Sequence, residues 1–110
     1  MIKKILLIDL DGVLNEYNGS YDKNFIPKIK KGAKNFLKKL NNEYELHLYT
    51  TRNLLLASKW LIENDLDKFF KDVTNIKTPA YLYIDDRTVC FSGDYEKTIE
   101  DVRNFQVYWK

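Results

Sequence analysis

The sequence predicts an α/β domain built on a mostly parallel sheet, and three observations predict it. Short apolar runs, Ile5–Ile8 and Ala80–Ile84, stop abruptly in acids, Asp9 and Asp11 after the first and Asp85 and Asp86 after the second, as buried strands do when they carry polar groups at their tips. Stretches with helical apolar spacing alternate with the strand-like runs, which favours parallel strands covered by helices. The 110 residues, 45% of them hydrophobic, suffice for one core and leave no room for a second. Residues 1–110 are therefore expected to form a single three-layer, Rossmann-like domain.

Taken in order, Ile5 to Ile8 reads as a central strand with Asp9 at its end. Val13 to Tyr21 alternates around Asn18-Gly19, a dipeptide that tolerates positive φ, and predicts a small hairpin flap over the strand end. After Pro27 and Gly32, the residues Ala33, Phe36, Leu37 and Leu40 recur at helical spacing. Lysines at positions 28, 30, 31, 34, 38 and 39 decorate that region; a solvated helix surface is the favoured reading and a nucleic-acid face the lesser one. Tyr44 to Tyr49 alternates as a strand and ends at Thr50-Thr51-Arg52. His47 lies inside it, which favours a structural role. Asn53 caps a helix whose residues Leu54, Ala57, Trp60 and Leu61 form a broad apolar face, ending near Asn64. Phe69 to Thr74 carries only a weak strand signal. Asp94 begins a last helix with Tyr95, Ile99, Val102 and Phe105 on one face, followed by Val107-Tyr108-Trp109, which either packs or joins a partner.

Composition narrows the function. A net charge of +2 with 31% charged residues is too balanced to make nucleic acid or an anionic membrane the main partner. Cys90, the one cysteine, excludes an internal disulfide framework and agrees with a reducing compartment. No apolar run reaches membrane-spanning length. The stretch after Lys3-Lys4 is too short for a secretory signal and is interrupted by Asp9, so a cytoplasmic location is expected. A calcium loop is excluded because Val13 and Leu14 stand where an oxygen ligand and a glycine are required.

Strands ending at Asp9, Thr50 and Asp85 would gather carboxylates and a hydroxyl along one edge of the sheet, with Lys77 entering just before the last strand. The hexapeptide Asp9-Leu10-Asp11-Gly12-Val13-Leu14, a threonine after the second strand, a lysine and the pair Asp85-Asp86 resemble, in this order, the four motifs of the haloacid dehalogenase superfamily. The resemblance spans Ile5 to Arg87. It is specific for the superfamily's chemistry and uninformative about the substrate.

That resemblance implies a Mg²⁺-dependent phosphatase that hydrolyses a phosphomonoester through an aspartyl-phosphate. Asp9 would be the nucleophile and Asp11 the general acid and base. Mg²⁺ would be held by Asp9, the Asp11 backbone carbonyl and the pair Asp85 and Asp86, oxygen donors that suit a hard cation, with the ligating member of the pair left open. Thr50 and Lys77 would stabilise the transferred oxygens. Thr51 is the alternative to Thr50, and a solvated loop lysine is the bland reading of Lys77. Gly12, Thr51, Arg52 and Arg87 are candidate substrate contacts, with surface ion pairs the alternative for the two arginines. The short intervals between motifs leave no space for a cap domain. An open site suits a bulky phosphorylated substrate or needs an oligomer partner to shield it. The alternatives are a polynucleotide 3′-phosphatase-like module and a phosphate-binding or regulatory domain without turnover.

Overall fold

The computed structural model describes residues 2 to 110. Four five- or three-residue strands, Ile5–Asp9 (β1), Glu45–Tyr49 (β2), Phe70–Thr74 (β3) and Leu82–Ile84 (β4), form one sheet in the order β3-β2-β1-β4. Every pairing is parallel. Three helices follow the predicted periodicities: Ala33–Asn41 (α1), Leu54–Glu63 (α2) and Tyr95–Asn104 (α3). A short 3₁₀ turn, Asp67–Phe69, leads into β3. This is the Rossmann-like α/β class expected, a parallel sheet flanked by helices.

The core explains the strand order. Leu6 and Ile8 of β1 and Leu46 and Leu48 of β2 pack with Ala33 and Leu37 of α1 and with Ala57, Trp60 and Leu61 of α2. Alternate residues of a strand share a face, so both helices lie on the same side of the sheet. Right-handed crossovers that step from β1 to β2 to β3 require this. The chain then returns past β1 to add β4 on its other side. The strand order thus reverses between β1 and β4, the position at which open parallel sheets leave a crevice at the carboxyl ends of their strands.

Both helix caps predicted from sequence are present, the Asn53 side chain accepting from the Leu56 N–H and Asp94 from the Lys97 N–H. The weakly signalled fourth segment is the edge strand β3. His47 bonds Glu45 within β2, the structural role expected of it. Among the described residues no helix is long and apolar enough to cross a membrane.

The apolar stripe of α3 stays exposed at Tyr95, Ile99, Val102 and Phe105. β4 has three residues and leaves Leu82 and Tyr83 about half exposed, so the run Ala80–Ile84 is not the buried strand expected of it. The flap after β1 exists but does not turn at Asn18-Gly19. It is closed at its base by an antiparallel bridge between Asn15 and Ile29 and turns between Asp22 and Phe25. Asn18 instead accepts the Ser20 N–H in a local side-chain turn, which competes with strand pairing.

Leu48→Ala, in the fully buried layer, is expected to destabilise the domain by about 2–5 kcal/mol in urea unfolding, whereas Ile99→Ala on the exposed stripe of α3 should change stability by less than about 0.5 kcal/mol.

Candidate acidic site at the sheet edge

Parallel pairing sets the site. Leu6, Leu7 and Ile8 stand opposite Leu82, Tyr83 and Ile84, so the next residues, Asp9 and Asp85, emerge side by side. Carboxylate oxygens of Asp9, Asp85 and Asp86 all lie within 4.8 Å of one another. A small cavity of about 160 Å³ adjoins them, lined by Leu7, Asp9, Tyr49, Lys77, Tyr83, Ile84, Asp85 and Thr88. Lys77, itself exposed, lies over the Tyr83 ring at 4.5 Å from its centre. This lysine therefore approaches the acids from the segment before β4, as its place in the sequence suggested.

Three like charges in a partly dry cleft raise one another's proton affinity. Burial is the largest cause for Asp9, followed by the charges of Asp85, Asp86 and Asp11, and its carboxyl is pushed up to about 8. Burial also raises Asp85; the Arg87 N–H bonded to it acts the other way, and contact with Asp86 adds to the rise. Either protons or a cation must relieve this crowding. The donor set is oxygen alone and converges from three side chains, which fits a hard divalent cation such as Mg²⁺.

Asp11 is turned away from this cluster. Its two carboxylate oxygens accept from Arg52, Nε at 2.8 Å and Nη2 at 3.1 Å, and Oδ1 also accepts from Asn15 Nδ2 at 3.0 Å. Arg52 was expected to meet substrate or form a surface ion pair. It is instead buried, 2% exposed, and its third arm donates to the Asp22 carbonyl of the flap at 2.8 Å. The Tyr21 ring covers the guanidinium at 4.7 Å. A planar fork with five donors can bind a carboxylate and a carbonyl at once, which a lysine cannot. Arg52 thus fastens the flap and Asp11 to the end of β2.

Thr50 is buried, 1% exposed, and its hydroxyl accepts the Arg52 N–H while its own N–H reaches the Thr74 carbonyl. Thr51 is exposed. The structure thus separates the two threonines by burial, Thr50 inside the strand end and Thr51 on the surface. Arg87 stays exposed, 5.7 Å from the Trp109 ring.

Asn15, which the sequence did not single out, and the tail residues Tyr108 and Trp109, whose packing was one of two expectations, complete the loop. Asn15 is buried, and its carbonyl oxygen accepts the N–H groups of Gly12 and Tyr17 while its amide holds Asp11. A lone amide four residues after Asp11, within an apolar stretch, was the available signal. Trp109 Nε1 donates to Asp86 Oδ2 at 2.6 Å, and the Tyr108 hydroxyl donates to the Gly12 carbonyl. The Trp109 ring meets Tyr17 edge to face at 5.3 Å. The aromatic residues after α3 therefore pack on the acidic site. Gly12 has φ +83°, and a Cβ there would overlap the Asp86 carboxylate, so only glycine lets the first loop pass this close to the second.

A folded chain that keeps a proton on Asp9 up to about pH 8 competes with an unfolded chain that releases it near 3.8. Without a cation, the stability tied to this group is intact below 3.8 and is lost progressively as pH rises to about 8. Thermal melts should show a wild-type Tm that falls by at least about 4 °C more between pH 5 and pH 8 than that of Asp9→Asn. Millimolar Mg²⁺ at pH 8 should recover the loss in the wild type only.

No family model matches the chain, and no curated protein matches it. Among solved structures it is similar to a conserved protein from Bacteroides thetaiotaomicron, with a TM-score of 0.62 and 23% identity over 92% of this chain and 90% of that one. At this identity the similarity concerns the fold, and it supports the strand order and layering described above.

Proposed function

We propose that the chain is a capless phosphatase of the haloacid dehalogenase type, which hydrolyses a phosphomonoester by way of a phosphoryl group carried on Asp9. The observation that carries this reading is the meeting of Asp9, Asp85 and Asp86 within 4.8 Å, beside a cavity that Lys77 also lines. The order of these residues in the sequence matches the superfamily's motifs, and buried Thr50 occupies the end of the neighbouring strand.

In the first half-reaction an Asp9 carboxylate oxygen attacks phosphorus and forms a P–O bond. The bond to the ester oxygen breaks, and the leaving oxygen takes a proton from Asp11. In the second half-reaction water gives its proton to Asp11 and its oxygen to phosphorus, releasing phosphate and restoring the Asp9 carboxylate. Both oxygens of Asp11 accept from Arg52, so the two transfers require this fork to loosen when Asp11 carries the proton, while the amide of Asn15 keeps the side chain in place. The hydroxyl of Thr50 accepts from the Arg52 N–H, which leaves its own proton for a phosphoryl oxygen. The Lys77 ammonium would offset charge on those same oxygens. Asp9, Asp85 and Asp86 would hold a Mg²⁺ ion, which supplies charge neutralisation between the carboxylates and the phosphate dianion.

Purified protein should hydrolyse a generic aryl phosphate in Mg²⁺ and lose turnover when the ion is chelated. Asp9→Asn should lower kcat by at least about 10³-fold, the scale on which nucleophilic catalysis contributes. Binding of Mg²⁺ and of a tetrahedral phosphate mimic without any hydrolysis of aryl or metabolite phosphates would identify a binding domain instead.

A further inference from the structure

The acidic cleft accounts for the phosphoryl group but not for what the phosphate is attached to. Next to it lies a larger groove of about 650 Å³, lined by Arg87, Phe105, Gln106, Val107, Trp109 and Lys110. Its volume falls within the roughly 300–1,000 Å³ of small-ligand pockets. The two sites share a wall, because Trp109, which lines the groove, is hydrogen-bonded to Asp86 of the acidic cluster. Arg87 joins them as well, following Asp86 in sequence, bonding Asp85 through its backbone N–H and lining the groove with its side chain.

We propose that this groove receives the organic part of the substrate and selects a planar heteroaromatic ring, so that the ligand is a nucleotide, free or at the end of a strand. The proposal rests on the phosphatase reading for the phosphate end. Three features of the lining support the ring. Phe105 and Trp109 offer two aromatic side chains, one of them anchored through its indole N–H, and stacking on aromatic rings is tolerant of base identity. Arg87 and Lys110 bring two cationic side chains and no acidic residue is among the lining, which complements an anionic ligand. Gln106 adds an amide able both to donate and to accept along a base edge. The hydrogen bond between Trp109 and Asp86 makes the groove and the acids adjoin, so one ligand can reach both.

Calorimetry in Mg²⁺ with non-hydrolysable ligands tests this directly: a nucleoside 5′-phosphonate, ribose 5-phosphonate without the base, and the nucleoside without the phosphonate. The nucleoside phosphonate should bind at least about tenfold more tightly than the baseless one, as expected for one stacked base. Phe105→Ala, which removes a groove ring that makes no side-chain hydrogen bond to the acids, should bring that ratio towards one. Equal binding of the two phosphonates would overturn the groove assignment while leaving the phosphate site standing. A nucleoside that binds as well as its phosphonate, with the baseless ligand inert, would overturn the joint site by removing its phosphate end. A dinucleotide phosphonate that binds more tightly than the mononucleotide would assign the ligand to a strand end, and equal binding would assign it to a free nucleotide; both outcomes support the groove.

Discussion

The structure depends on one electrostatic constraint, the crowding of Asp9, Asp85 and Asp86 at the tips of two adjacent parallel strands. Such an arrangement is unfavourable by itself, since burial and mutual repulsion both oppose ionisation. The pairing of β1 with β4 leaves it no escape, because residues opposite in a parallel register emerge together. The sheet topology adds to this by reversing strand order at the same place, so the acids border a crevice instead of a packed loop. A hydrophobic core on the α1 and α2 side holds β1 and β2 rigidly enough to sustain the strain at their ends.

Around the acids, each neighbouring segment is tied to the site by a specific polar contact. Arg52 joins the end of β2 to Asp11 and to the flap. Asn15 folds the loop after β1 back on itself. Trp109 and Tyr108 bring the segment after α3 onto Asp86 and Gly12. These bonds come from residues up to 96 positions apart in sequence and converge within a few ångströms. In the proposed mechanism they fix the segments around an open site, with three acids to meet a cation and the fourth held separately by Arg52 and Asn15.

Much of this was legible in the sequence, for identifiable reasons. The apolar run before Asp9 revealed β1 because burial on both faces demands continuous hydrophobicity, and the run before Asp85 marked β4 although Leu82 and Tyr83 stay about half exposed. The caps Asn53 and Asp94 were readable because capping is a local interaction. Non-local contacts were not. Nothing near Arg52 announces that it will bury itself against Asp11, 41 residues earlier, and nothing near Trp109 points to Asp86. The apolar stripe of α3 has the periodicity of a buried helix yet stays exposed, since periodicity reports a helix's own amphipathicity and not the surface available to cover it. Asn18-Gly19 carries a hairpin signal that the flap does not use, because the bridge between Asn15 and Ile29 and the anchoring of Asp22 by Arg52 decide where the chain turns.

The central claim is that Asp9 accepts the phosphoryl group. Its most direct test is to mix the protein with an aryl phosphate and Mg²⁺, quench with borohydride, and map the peptides by mass spectrometry. A phosphorylated aspartate is reduced by this treatment to homoserine, and an unmodified carboxylate is not. The mechanism predicts homoserine at position 9 and at none of Asp11, Asp85 or Asp86, dependent on Mg²⁺ and on substrate. Hydrolysis that proceeds with no reducible acyl phosphate at position 9, or with one at another aspartate, would contradict it.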